Sequence, residues 1–161
     1  MLLTKQKQKP AEHIVAQNRA ASHRYELLEK YEAGIVLVGT EVKALREGKG
    51  SLREAYAEVK QNEVWLMNLH IPEYLPGGKF NHTPLRTRKL LLRRQEIAKL
   101  IGKTQQKGLT LIPLRIYFRD GIAKCEIALA RGKKVWDRRQ SERDKEARKE
   151  ASAAIYNSRR R

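Results

Sequence analysis

Cysteine is nearly absent. A lone Cys125 has no partner for an internal disulfide, so a reducing, cytoplasmic setting is expected. Aspartate is almost as scarce, with only Asp120, Asp137 and Asp144. The first stands in a turn pattern and the others lie in a charged tail, so the clustered carboxylates of a two-metal nuclease cannot be assembled. No glycine-rich loop ends in Gly-Lys-Ser/Thr, and there is no HExxH or CxxC pair. These absences argue against an enzyme, and no metal or cofactor is expected. No apolar run approaches the ~18 residues that cross a bilayer. The first ten residues carry no apolar signal-peptide core, so no membrane role is expected.

Cations are what the chain has in excess. Lys and Arg number 35 against 18 Asp and Glu, a formal charge of +17. Such an imbalance points to nucleic acid or an anionic membrane surface. The 161 residues, 40% of them hydrophobic, suffice for one domain plus an appendage. The densest basic stretch is Asn81-His-Thr-Pro-Leu-Arg-Thr-Arg-Lys-Leu-Leu-Leu-Arg-Arg94. Its three consecutive leucines, Leu90-Leu91-Leu92, seek a core, while the cations on both sides seek an anion or water.

Three parts can be drawn. Residues 1–13 read as a flexible basic arm, rich in Lys and Gln. Residues 14–130 carry the ordered domain. Residues 131–161 hold twelve cations and five anions, a net of +7, with no wide apolar stripe. They read as a basic tail, disordered alone and helical on a binding surface.

Within the domain, residues 25–32 alternate as a strand, and Ala33-Gly34 allows a bend. Ile35-Val-Leu-Val38 reads as a short buried strand, and Thr40 as the N-cap of a helix over residues 41–47. Residues 55–60 and 64–71 form two strands about a turn at Asn62-Glu63. A long loop follows, marked by Pro72, Pro76, Gly77, Gly78 and Pro84. A short strand at 89–92 and a helix over 93–106 come next. Asp120-Gly121 then joins two strands as a hairpin, with Pro113 placing an edge or bulge in the first.

Antiparallel strands interrupted by two helices argue for a mainly β fold, an OB-fold-like antiparallel β-barrel with peripheral helices and a basic tail. Cys125 and Trp65 read as core residues. The four histidines, His13, His23, His70 and His82, are dispersed and read as polar surface groups or loop hydrogen bonders; His23 and His82 flank cations, which leaves RNA contact open for those two. Trp136 stands amid Lys133, Lys134, Asp137, Arg138 and Arg139. It is a base-stacking candidate, or folds back on the barrel. Two alternatives stay open from the residues alone: a general RNA-coating protein with a dispensable tail, and an RNA-processing enzyme, against which the carboxylate scarcity argues.

Several motifs together resemble the SsrA-binding protein (SmpB) family, partners of transfer-messenger RNA. They are Asn18-Arg-x-x-x-His23, Tyr31-Glu-Ala-Gly34, Gly39-Thr-Glu-Val-Lys-x-Leu-Arg46, Glu54 before Ala-Tyr56, the basic stretch from Asn81 to Leu92, and Ala130-Arg-Gly-Lys-Lys134 followed by Asp137-Arg-Arg139. The resemblance implies an RNA-binding role in trans-translation. The barrel would hold the tRNA-like domain of that RNA, and the tail would enter the vacant messenger channel of a stalled ribosome and replace a codon–anticodon pair. Alanyl-tRNA synthetase and elongation factor Tu would act on the same RNA. RNA-binding residues carried over are Asn18, His23, Glu32 and Leu91, with Arg19, Arg86, Arg88 and Lys89 as phosphate contacts. Decoding-centre residues are Gly132, Lys133, Lys134, Trp136, Asp137, Arg138 and Arg139. The glycine would let the tail leave the last strand sharply. The tail departs from the family's usual pattern. Trp136-Asp-Arg-Arg stands where His or Tyr followed by Asp-Lys-Arg is commoner, keeping the stacking surface and the charge but changing the hydrogen bonding.

Overall fold

A computed structural model describes residues 11–158. It has seven strands: β1 (His13–Gln17), β2 (Tyr25–Ile35), β3 (Tyr56–Lys60), β4 (Glu63–Met67), β5 (Arg88–Leu91), β6 (Leu109–Arg119) and β7 (Ile122–Gly132). Four helices accompany them: α1 (Ala21–Arg24), α2 (Gly39–Arg46), α3 (Arg94–Thr104) and α4 (Val135–Ser158). The first ten residues of the expected arm and the last three of the tail lie outside the described residues. Glu12 and His13, assigned to the arm from sequence, belong to the fold. His13 pairs with Phe118, and Glu12 is bonded to Arg115 and Arg119.

Every pairing is antiparallel, and the pairings form a closed circuit: β6–β3–β4–β5–β2–β7 and back to β6. Closing a sheet on itself removes the unpaired edges that an open sheet would expose. β1 lies outside the circuit, on the part of β6 that β3 leaves free.

The tight turns follow from residues that accept a left-handed backbone. Gln61 and Asn62 have φ of 49° and 59° between β3 and β4, and Asp120 and Gly121 have 50° and 76° between β6 and β7. Both pairs fit the hairpin geometry whose twist matches that of the strands. The expected irregularity at Pro113 is present as a register shift between Pro113 and Arg115. Proline has no amide hydrogen to give the ladder, so the strand bulges there.

Inside the ring, Val64, Leu66, Leu90, Leu111, Ile116, Cys125 and Ile127 are buried together with Leu45 of α2 and Leu100 of α3. A smaller cluster of Ala21, Ile112, Leu114, Ala128 and Ala130 lies beneath α1.

Three local expectations are corrected. Ile35 ends β2 and there is no separate strand through Val38; Val36 and Val38 are exposed. Thr40 does not cap α2. The Glu41 carboxylate accepts the Val38 amide at 3.0 Å and does that work, while the Thr40 hydroxyl meets His82 Nδ1 at 2.8 Å. Trp65 lies on the outer side of β4, half-buried, because Val64 and Leu66 take the inward positions of the period-two pattern.

Residues 135–158, read as loose in isolation, form one helix. No glycine or proline interrupts it, and Asp137 in its first turn suits the positive end of the helix dipole. Every residue from 142 to 158 is exposed.

Candidate nucleic-acid interface

The alternation of β5 divides the basic stretch. Arg88 and Leu90 point inward and are fully buried; Lys89 and Leu91 point outward. Leu91 is 52% exposed. It lies opposite Gly34 of β2, where an added Cβ would come within 3.3 Å of the Leu91 Cβ. Glu32, two residues back on the same face of β2, joins Leu91 and Lys89 on one outer surface, with Trp65 opposite Lys89. Lys89 is bonded to Glu63, and Lys89 and Leu91 line a cleft of about 690 Å³ with Arg94 and Ile97 of α3.

Arg88 is therefore not a phosphate contact. Its guanidinium donates to Glu41 Oε1 through Nε at 2.9 Å and Nη2 at 2.7 Å. It also donates to the carbonyls of Leu69 and Pro84. A side chain with no exposed surface and its donors spent on protein cannot reach a ligand. Arg86 serves the same carboxylate, donating to Glu41 at 3.1 Å and 2.7 Å, and to the Val36 carbonyl at 3.3 Å. It keeps 34% of its side chain exposed, so one edge still faces solvent. Burial pushes the Glu41 carboxyl up, but Arg86, the Val38 amide and Arg88 outweigh it and hold it below the usual carboxylate range.

Glu32 is held as firmly. It accepts the Tyr117 hydroxyl, and Arg119 Nη1 donates to it at 3.0 Å. Arg119 also binds Glu12, which shares Arg115 at 2.8 Å; Arg115 reaches Glu126 at 3.0 Å. The Tyr117 hydroxyl keeps Glu32 ionised below its ordinary range; partial burial opposes this and Arg119 adds to it. Arg115 and Arg119 also lie over the Tyr117 ring, at 4.6 Å and 5.3 Å from its centre. Glu32 thus offers a fixed anionic acceptor on a basic protein, suited to a base amino group or a 2′-hydroxyl.

The remaining candidates gather where β7 leaves the ring. Asn18 is tied to the β6 bulge, its amide nitrogen donating to the Pro113 carbonyl at 3.3 Å. Arg19, His23, Lys133, Trp136 and Asp137 line a cleft of about 500 Å³ between α1 and α4. His23 Nε2 is 3.3 Å from the Glu142 carboxylate. The Lys133 amide donates to the Arg24 carbonyl at 3.0 Å; its Nζ donates to the Ser22 carbonyl at 2.9 Å and to Ser141 Oγ at 3.3 Å. Lys134, Arg138 and Arg139 are exposed, and Trp136 is 67% exposed in the first turn of α4. Gly132 remains in the β7 ladder opposite Tyr25 with open space around it. The sharp exit expected of this glycine is not made there; the chain turns after it.

Sequence reasoning missed Glu12, Tyr117, Arg115 and Arg119, which brace Glu32, and Glu41, which neutralises Arg86 and Arg88. All act across more than forty residues of chain, a separation no local pattern spans. His82 takes the loop hydrogen-bonding role read for it, not a surface one: it is buried and bridges Thr40 and the Ile71 carbonyl, the latter at 2.9 Å from Nε2. Cys125 is fully buried, and burial pushes its thiol up to about 12. Among the described residues no group of three His, Cys, Asp or Glu could hold a metal ion, and no helix is long and apolar enough to cross a membrane.

A family model described as "SmpB protein" matches residues 15–157. The SsrA-binding protein of Koribacter versatilis is 55% identical over 142 residues, covering 88% of this chain and 81% of that protein. That of Parafrankia sp. is 55% identical over 139 residues, covering 86% and 88%. A solved chain described as "tmRNA-SmpB: a journey to the center of the bacterial ribosome" superposes with a TM-score of 0.63. It is 52% identical, covering 74% of this chain and 84% of its own. The closed antiparallel sheet, the braced outer face and the basic helix thus belong to a member of the SmpB family of SsrA-binding proteins.

Proposed function

We propose that this chain is an RNA-binding protein of trans-translation, not an enzyme. Its ring binds the tRNA-like domain of transfer-messenger RNA and carries it to stalled ribosomes. Its C-terminal segment then enters the empty messenger channel and takes the place of a codon–anticodon pair. The observation that carries this reading is the extent of the family match, residues 15–157, which spans ring and tail alike.

The geometry supports a division of labour. On the ring, Glu32 and Leu91 share an outer face with Lys89, and Asn18, Arg19 and His23 lie at the α1 corner. Arg86 contributes through its exposed edge. On the tail, Trp136 presents a free aromatic face among Lys133, Lys134, Arg138 and Arg139, and Asp137 supplies an acceptor; Gly132 connects the two. Stacking on such a ring is worth about 1–3 kcal/mol per base. Alanyl-tRNA synthetase and elongation factor Tu are expected on the same RNA, and the setting is cytoplasmic.

The test is to purify the chain from its native cell in mild salt and sequence the RNA that accompanies it. Strong enrichment of one tRNA-like RNA with an internal reading frame is expected. A broad spread of ribosomal and messenger RNA would overturn the reading and leave a general RNA-coating protein.

A further inference from the structure

The β3–β4 hairpin turns its polar-position side chains outward, and several of them are not polar. Ala57, Val64 and Leu66 take the buried inward positions, which leaves Tyr56 and Glu58 of β3 and Trp65 and Met67 of β4 on the outer side. Tyr56 lies opposite Met67, and Glu58 opposite Trp65. The ladder continues into β5, where Trp65 lies opposite Lys89, two residues from Leu91 on the same face. Diagonal neighbours on one sheet face stand about 7–8 Å apart, so Trp65 adjoins the Leu91 surface. The cleft beside Leu91 and a second one of about 430 Å³, lined by Trp65, Met67 and Lys60, meet at Gln61, which lines both.

We propose that Trp65 is a stacking platform for an unpaired nucleobase of the bound RNA, extending the RNA face from Leu91 across Lys89 onto the β3–β4 hairpin. This rests on the reading that the Leu91 face binds RNA. The lysines of this strip are engaged by carboxylates, Lys60 by Glu58 at 2.7 Å and Lys89 by Glu63. A phosphate therefore gains little here, whereas a flat ring gains the indole face, the Met67 thioether and Tyr56, which is 41% exposed. The half-buried Trp65 ring is already held by its neighbours, so stacking on it costs little ordering. Gln61 carries an amide, donor and acceptor at once, suited to the edge of a base. The chain's charge of +17 and the continuity with Leu91 favour RNA over a protein as the occupant.

The chain has two tryptophans, so Trp136→Phe leaves Trp65 as the sole indole emitter in the full-length protein. The probe is a transcript of the tRNA-like portion of a transfer-messenger RNA. Its titration is expected to quench Trp65 emission in step with binding. In the same background Trp65→Leu keeps the apolar bulk but removes the ring, and should bind the transcript about 5–150-fold more weakly. Trp65→Phe keeps a ring and should bind more tightly than Trp65→Leu. Unchanged Trp65 emission on a bound transcript, or equal affinity of the Leu and Phe variants, would reduce Trp65 to a packing residue and overturn the proposal. Emission that answers to ribosomal proteins and not to the transcript would give the face to a protein, and would overturn it too. Should Trp65→Leu not fold, the emission titration decides alone, since it uses the intact Trp65. No binding of the transcript by the parent chain would instead sink the RNA reading, and the stacking with it.

Discussion

Arg88 and Glu41 are fully buried, 47 positions apart in the chain, and Arg88 holds one carboxylate oxygen of Glu41 with two nitrogens at 2.9 Å and 2.7 Å. Removing one member of a buried ion pair leaves the other charged and unmatched, at a cost of about 3–5 kcal/mol. Arg88→Met should fall near the lower figure, since Arg86 and the Val38 amide still serve Glu41. Urea denaturation measures this; an unchanged midpoint would mean that the pair contributes nothing to stability.

The same carboxylate gives stability a pH dependence of definite sign. Glu41 titrates lower in the folded chain than an ordinary glutamate at about 4.3. The unfolded chain therefore takes up the proton first, and stability is lost as pH falls through the folded value. Glu32, also lowered, acts in the same direction. Denaturation midpoints should hold steady above about pH 5 and decline below about pH 4. Carboxyl NMR placing the Glu41 midpoint at or above the ordinary value would contradict the network described.

Adjacent leucines should behave in opposite ways. Leu90→Ala empties a fully buried site and should cost about 2–5 kcal/mol. Leu91→Ala, at an exposed position, should change stability by no more than about 0.5 kcal/mol while weakening binding of the tRNA-like transcript. A Leu91→Ala protein that loses stability but keeps its RNA affinity would move Leu91 from the RNA face to the scaffold.

Trp136→Ala should leave binding of the transcript unchanged and slow peptide tagging on stalled ribosomes. Loss of one stacked base corresponds to about 5–150-fold at 1–3 kcal/mol. Ending the chain at Arg131 should abolish tagging without lowering RNA affinity. Unaltered tagging kinetics for Trp136→Ala would remove the stacking role.

Much of the ring was legible because local rules sufficed. Asp120-Gly121 and Pro113 announced a hairpin and a bulge, and both stand where their chemistry requires. Trp65 was misplaced where the period-two pattern was the correct guide: Val64 and Leu66 face inward, so Trp65 cannot. Arg88 was misjudged for a similar reason. Its charge was weighed, whereas its place in the alternation with Leu90 put it inside. The partner that makes such burial tolerable, Glu41, lies on a different element and leaves no local trace. The same holds for Tyr117 and Arg119 beside Glu32. The docking of α4 was illegible because it depends on a few polar contacts and not on an apolar stripe.

The ring is stitched unevenly. β7 pairs along nearly the whole length of β2 on one side and of β6 on the other, while β3 meets β6 only at Ala57 and Leu111. A closed sheet breathes where its ladder is thinnest, and the energies of local opening range from near zero to that of the whole fold. Amide hydrogens along β3 should exchange first among the ring strands and those of β7 last. By the same reasoning the β3–β6 seam, which ties residue 57 to residue 111, should close last in folding, after the long hairpin of β6 and β7 has formed.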